Sequence, residues 1–126
     1  MPGFTSHREF AAWQLAYALR QALRPLLRSA LRAKDFDLYG NVRRAARSST
    51  RNIAEGFGRF KHKDFARFVR MAKASEVEIL DHLQEARDQG YITDEEFAAL
   101  EHATKKALKA ANGLIRYLES TPDRAP

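Results

Sequence analysis

The chain contains no cysteine, which excludes a disulfide framework, a thiolate metal site and a cysteine nucleophile. That usage fits a reducing, cytoplasmic setting. Long apolar runs are also missing. The uncharged stretches fall well short of the roughly 18 residues a membrane span needs, and the opening MPGFTSHREF has no basic region leading into an apolar one. Neither membrane insertion nor secretion is expected. Structural punctuation is sparse, with six glycines and four prolines, and no internal repeat or low-complexity tract breaks the chain up. At 126 residues, the length suits a single domain with its own core.

Charge is plentiful, and it is unevenly spread. The net charge is +6. Residues 1–73 hold 16 Lys/Arg against 5 Asp/Glu, a balance of +11, while residues 74–126 hold 6 against 11, a balance of −5. This polarity suggests a basic face set against an acidic side, or head-to-tail contact between copies of the chain.

Helical periods fill the space between the few breakers, and no alternating strand pattern appears. Ser6 and Glu9 form a capping-box pattern ahead of Phe10, Trp13, Ala16, Tyr17 and Leu23. Pro25 predicts a kink, or a break with a new turn through Leu26 to Arg32. On the second segment, Leu38, Val42, Ala45, Ala46, Ser49 and Ile53 share one side at about 100° per residue. The small residues among them imply close approach by a neighbouring helix. Gly56 and Gly58 end that segment.

The third segment carries Phe65, Phe68, Val69, Ala72, Ser75, Ile79, Leu80, Leu83 and Ala86 as an apolar stripe, stopped by Gly90. The fourth opens on a second capping box, Thr93 to Glu96, with acids at the positive end of the helix dipole. The spacing predicts helices over about 7–32, 37–57, 64–89 and 94–119. An all-α, antiparallel up-down four-helix bundle is the simplest way to bury these stripes.

A search for catalytic chemistry finds little. His82 and Glu85 imitate half of a di-iron bundle motif, but Glu78, His82 and Glu85 fall on the polar side of their stripe, where a solvated face is expected. Ser48, Ser49 and Thr50 have no histidine nearby in sequence and read as packing hydroxyls. Gly56-Phe57-Gly58-Arg59 follows a helix and lacks the continuation of a phosphate loop. We expect no enzyme activity, no metal and no cofactor.

The arginines are the stronger signal. Arg43, Arg44, Arg47 and Arg51 share an arc of about 100° opposite the apolar side of their helix. Arg20, Arg24, Arg28 and Arg32 recur at i, i+4, and Arg59, Lys61 and Lys63 crowd the next connection. Like charges one turn apart repel, and acidic i, i+4 partners are missing. The guanidinium fork suits phosphate, and releasing counterions supplies affinity without reading sequence. Arg20, Arg24, Arg28, Arg43, Arg44, Arg47, Arg51, Arg59, Lys61 and Lys63 are the candidate nucleic-acid-binding residues. The alternative is a scaffold whose arginines meet an acidic partner or a neighbouring subunit. Phe57, Phe60 and Phe65 either stack on unpaired bases or cap the core.

Arg43-Arg44-Ala45-Ala46-Arg47-Ser48 followed by Asn52-Ile53-Ala54-Glu55-Gly56-Phe57-Gly58-Arg59 resembles the signature of the four-helix-bundle family of 23S rRNA intervening-sequence proteins and diversity-generating retroelement accessory variability determinant proteins. Trp13, Phe65, Phe68, Ala74-Ser75-Glu76 and Gly90-Tyr91-Ile92 extend the resemblance over nearly the whole chain. It differs where the family often has Phe-Pro before Tyr-Gly-Leu: here stand Ser29-Ala30 and Phe36-Asp37-Leu38, with the proline earlier at Pro25. The resemblance implies a ring-shaped homo-oligomer, a pentamer, with a basic surface, cytoplasmic and without known catalysis. It also implies RNA or DNA as a partner, with a reverse transcriptase as a protein partner for the retroelement members. The signature residues Asn52, Glu55, Gly56 and Gly58 also have a physical reading. Asn52 and Glu55 can bridge to a neighbouring helix or hold an arginine, and the glycines permit a left-handed or close-approach turn.

Overall fold

Burial of one ring decides where the first helix begins. Phe10 is 6% exposed, stacked on Phe4 and edge-on to Phe57 and Phe65. To reach that position the backbone is extended at Phe10, with φ −80° and ψ 132°. The expected capping box therefore does not form. Ser6 Oγ accepts from Arg8 N at 3.2 Å and caps only a single 3₁₀ turn, His7–Glu9, while the Glu9 carboxylate accepts from the Thr5 amide and hydroxyl. Helix α1 spans Ala11–Ala22, and its N-cap residue, Phe10, makes no side-chain capping bond.

The computed structural model describes residues 4–123, and among them it is all-α, with no strand. At Pro25 the helix breaks rather than kinks. Leu23 closes α1, and α2 spans Arg24–Arg32 with the proline in its first turn, where a missing N–H leaves no bond unmade. Counting this broken pair as one, the described residues form four α-helices. The others are α3, Phe36–Phe57; α4, His62–Asp88; and α5, Asp94–Ser120.

Two side-chain caps and one glycine fix three of the remaining ends. Asp35 caps α3, accepting from Leu38 N at 3.1 Å on one oxygen and from the Tyr91 hydroxyl at 3.0 Å on the other. Gly90 takes φ +77° after α4, so that Tyr91 N reaches back to Ala86 O at 2.9 Å. Thr93 and Glu96 form the reciprocal capping box that starts α5.

Helix α3 packs on α4, α4 on α5, and α1 on both α3 and α5, while α2 lies on α3. The buried apolar side chains form two clusters. One is built around Leu19, Leu23, Leu38, Ile79 and Leu83, the other around Phe10, Ile53, Phe65, Val69 and Leu118. The buried face of α3 is mostly small, with Ala45, Ala46, Ser48, Ser49 and Gly56 all inside.

Gly56 marks the tightest approach. A Cβ there would lie 2.7 Å from Phe65 Cδ1 and 2.9 Å from Phe68 Cβ. Gly58, with φ −72°, adopts no left-handed conformation, and a Cβ there would lie 3.3 Å from Glu55 O, so close approach and not a special φ is what the two glycines share. Gly40, in the same helix, has nothing within 4 Å of such a Cβ. Gly56→Ala is expected to destabilise by about 1–3 kcal/mol through overpacking. Gly40→Ala should stabilise by up to about 1 kcal/mol through helix propensity. Urea melts of both variants check this, and equal shifts of the same sign would contradict the packing account.

Candidate nucleic-acid interface

Trp13, Tyr17 and Arg20 stand at i, i+4 and i+7, so they share one side of α1, and Arg24 follows them as the first residue of α2. Arg43, Arg47 and Arg51 step along α3 at about 6 Å intervals. Because α1 and α3 pack together, these two rows face a common groove. It consists of two hollows of about 310 and 300 Å³. Arg20, Arg24, Arg43 and Arg47 line the first, Arg20, Arg47 and Arg51 the second, and Tyr17 belongs to both. On the α3 side the small Ala46, Thr50 and Ala54 complete the lining. Arg20 Nη1 donates to Thr50 Oγ1 at 3.4 Å. Among the described residues no carboxylate lines either hollow.

The other candidate cations lie outside these walls. Arg28 is exposed on α2. Arg44 turns toward α4 and pairs with Glu78, so an acidic partner missing along α3 is supplied across helices. Partial burial works to raise the Glu78 carboxyl, but hydrogen bonds from His82 and Arg44, with their charges, outweigh it and hold the group below the usual carboxylate range. Arg59 sits 4.7 Å above the Phe68 ring and 3.6 Å from Glu55. Lys61 is the N-cap residue of α4. Lys63 lines a separate hollow with His62, Arg70, Glu119 and Asp123, and there Arg70 pairs with Glu119.

Of the two readings of the aromatic residues, core capping holds for Phe57 and Phe65. Phe65 is fully buried and Phe57 packs edge-on against Phe10 and Phe65, so both rings belong to the core. Phe60 is exposed. The rings at the arginine groove are Trp13 and Tyr17, stacked with centroids 4.9 Å apart and planes at 11°. Their spacing with Phe10, Ala16 and Leu23 reads in the sequence as an apolar period. Their shared face with Arg20 is the available signal.

The signature residues play local roles. Asn52 is buried, and its Nδ2 donates to the carbonyl and the hydroxyl of Ser48, each at 2.9 Å. Ser48 Oγ in turn accepts from Ser75 Oγ at 2.9 Å, which ties α3 to α4. Glu55 is exposed beside Arg59. His82, expected on a solvated face, is largely buried, and its Nε2–H donates to Glu78 at 3.0 Å. The cause is the position of Glu78 at the α3–α4 edge, where Arg44 also reaches it. Among the described residues no group of three or more His, Cys, Asp or Glu is placed to hold a metal ion. No described helix is long and apolar enough to cross a membrane.

Four helices with an arginine-walled groove between the first and α3 define an all-α protein with a concentrated basic surface. The family model of the 23S rRNA-intervening sequence protein matches residues 8–113, and the chain belongs to that family. A comparison with curated proteins finds no match.

One titratable group sits apart from the arginine faces. Glu76 is fully buried, and neither carboxylate oxygen has a hydrogen-bond partner. On α4 it lies between Ala72 and Ile79, which belong to different apolar clusters. Burial pushes its pKa up from 4.5 to about 8. In the folded chain the carboxyl thus stays protonated where the unfolded chain would ionise it. Its contribution is fully present below pH 4.5 and is lost as pH rises toward 8. Glu76→Gln should flatten this dependence and be more stable than wild type near pH 8, by less near pH 4.5. Melting temperatures across that range check it, and a constant difference at all pH values would contradict it.

Proposed function

We propose that this protein is a non-enzymatic, oligomeric helical bundle that binds nucleic acid through its arginine groove with little sequence specificity. The observation that carries the reading is the convergence of Arg20, Arg24, Arg43, Arg47 and Arg51 on one groove whose described walls hold no carboxylate. Guanidinium groups held this close repel one another, and an anionic chain relieves that repulsion while releasing its condensed counterions. Contacts to phosphate position a strand without reading its bases, hence the low specificity. The family name, which refers to an rRNA intervening sequence, favours RNA as the physiological class.

In this proposal the four helices run up and down in antiparallel order and the protomers close into a ring, a homopentamer, in the cytoplasm. Two contact series support the antiparallel order. Arg44 meets Glu78 while Ser48 meets Ser75, and His62 meets Thr121 while Arg87 meets Asp94. The opposed charge of the two halves of the chain supports head-to-tail assembly. That charge also favours a second reading, in which the groove docks an acidic partner or a neighbouring subunit, as a reverse-transcriptase accessory protein would. The exposed Asp94, Glu95 and Glu96 at the start of α5 are the segment such a neighbour would offer.

Fluorescence anisotropy with mixed-sequence RNA and DNA at rising salt separates the two. Engagement of four or five phosphates predicts a slope of log affinity on log salt of about −3 to −5. Arg43→Glu with Arg47→Glu should cut affinity by tenfold or more, roughly 1.4 kcal/mol, and leave the oligomer intact in sizing experiments. Absence of binding even at low salt would overturn the proposal. Dissociation of the oligomer with nucleic-acid binding unchanged would favour the docking reading instead.

A further inference from the structure

Along the groove the chemistry alternates between basic and aromatic. At one end the Arg8 guanidinium lies 6.0 Å from the Trp13 ring, with the His7 ring edge-on to Trp13 at 5.3 Å. Next comes the parallel Trp13–Tyr17 stack. Beyond it are Arg20 and Arg47, which border both hollows, with Arg51 in the hollow that Trp13 also lines. Tyr17 is the more accessible of the two rings, 39% exposed, and it sits where the hollows meet. A flat ring already stacked on one side offers a ready-ordered surface on which a further ring can continue the stack.

A base inside a duplex has both faces covered by its neighbours and cannot use such a surface. An unpaired base can. The hollows, at about 300 Å³ each, match the small end of the ligand-pocket range, and they are recesses between two helices rather than a broad convex face that would follow a double helix. Phosphate contact alone would leave the parallel ring pair at this position without a role in binding.

We propose that the groove takes single-stranded nucleic acid, with an unpaired base laid on Tyr17 in continuation of the Trp13–Tyr17 stack and the flanking phosphates held by Arg20, Arg47 and Arg51. The inference rests on the nucleic-acid reading above and adds the strand class and the stacking residue. Every base has a ring face, so the stacking step, like the phosphate contacts, reads no sequence.

Trp13 is the single tryptophan of the chain, so its emission reports on this position alone. The experiment titrates the full-length oligomer with a short oligouridylate and, separately, with a duplex RNA of the same length, following Trp13 emission and anisotropy together. The expected result is quenching by the single strand, reversed by salt, with the duplex binding at least about tenfold more weakly and leaving the emission unchanged. Tyr17→Ala should weaken single-strand binding by about tenfold with duplex binding unaltered, and Tyr17→Phe should restore it. Equal affinity for both forms, with unchanged emission and no effect of Tyr17→Ala, would overturn the stacking inference and leave the phosphate reading standing. Failure of both ligands to bind would defeat that reading as well. An emission change that follows dissociation of the oligomer on dilution, and not added RNA, would identify the groove as a subunit contact and overturn the inference.

Discussion

The close approach of α3 to its neighbours is the constraint on which the rest of the molecule depends. Gly56 meets the Phe65 and Phe68 side chains at distances that leave no room for a methyl group. Farther along, Ala45, Ala46, Ser48 and Ser49 keep the same buried face small. Close packing of this kind confines every bulky side chain of the middle of α3 to the remaining arc, and that arc carries the arginines. The same economy shapes the groove. Ala46, Thr50 and Ala54 line it from α3 without filling it, so the guanidinium groups of Arg43, Arg47 and Arg51 form walls instead of a flat charged surface. Core geometry and the basic face are two consequences of one residue pattern.

Polar groups are divided in a complementary way. The ion pairs that cross between helices, Arg44 with Glu78, Arg70 with Glu119 and Arg87 with Asp94, all involve α4. Neither hollow between α1 and α3 has a carboxylate in its described walls. The charge imbalance along the sequence thus becomes a spatial one, with Glu78, Glu119 and Asp94 paired at the edges of α4 and α5. Inside, the Asn52–Ser48–Ser75 chain gives α3 and α4 a directional link that apolar contact would not supply. Glu76 has no such link, and its burial makes stability sensitive to pH at the junction of the two apolar clusters.

Much of this was legible in the sequence because it is local. Gly90 stops α4 and Thr93 with Glu96 starts α5 through contacts within a few residues. The apolar side of α3 follows from helical spacing alone. The features that escaped depend on partners distant in sequence. Phe10 shifts the start of α1 because its ring is held by Phe57 and Phe65. Arg44 looked unpartnered until Glu78 on α4 was placed beside it. Trp13 and Tyr17 read from their spacing as part of an apolar period, although such rings carry an apolar body and a polar tip, and only the packing of α1 against α3 leaves Tyr17 exposed and partly covers Trp13. The burial of Glu76 is not legible in the sequence, because a carboxylate within an apolar stripe reads as the stripe's edge and its full burial depends on the helices around it.

The chain belongs to the 23S rRNA-intervening sequence protein family, and the function proposed for it assigns RNA contact to the groove between the first helix and α3. The most direct measurement is ultraviolet cross-linking of the protein to single-stranded RNA, with the modified peptides mapped by mass spectrometry. The account predicts cross-links concentrated at Trp13 and Tyr17 on α1, and their loss when Arg47 is reversed in charge. Cross-links centred on the connection between α3 and α4 or on α5, with the α1 peptides unmodified, would contradict it.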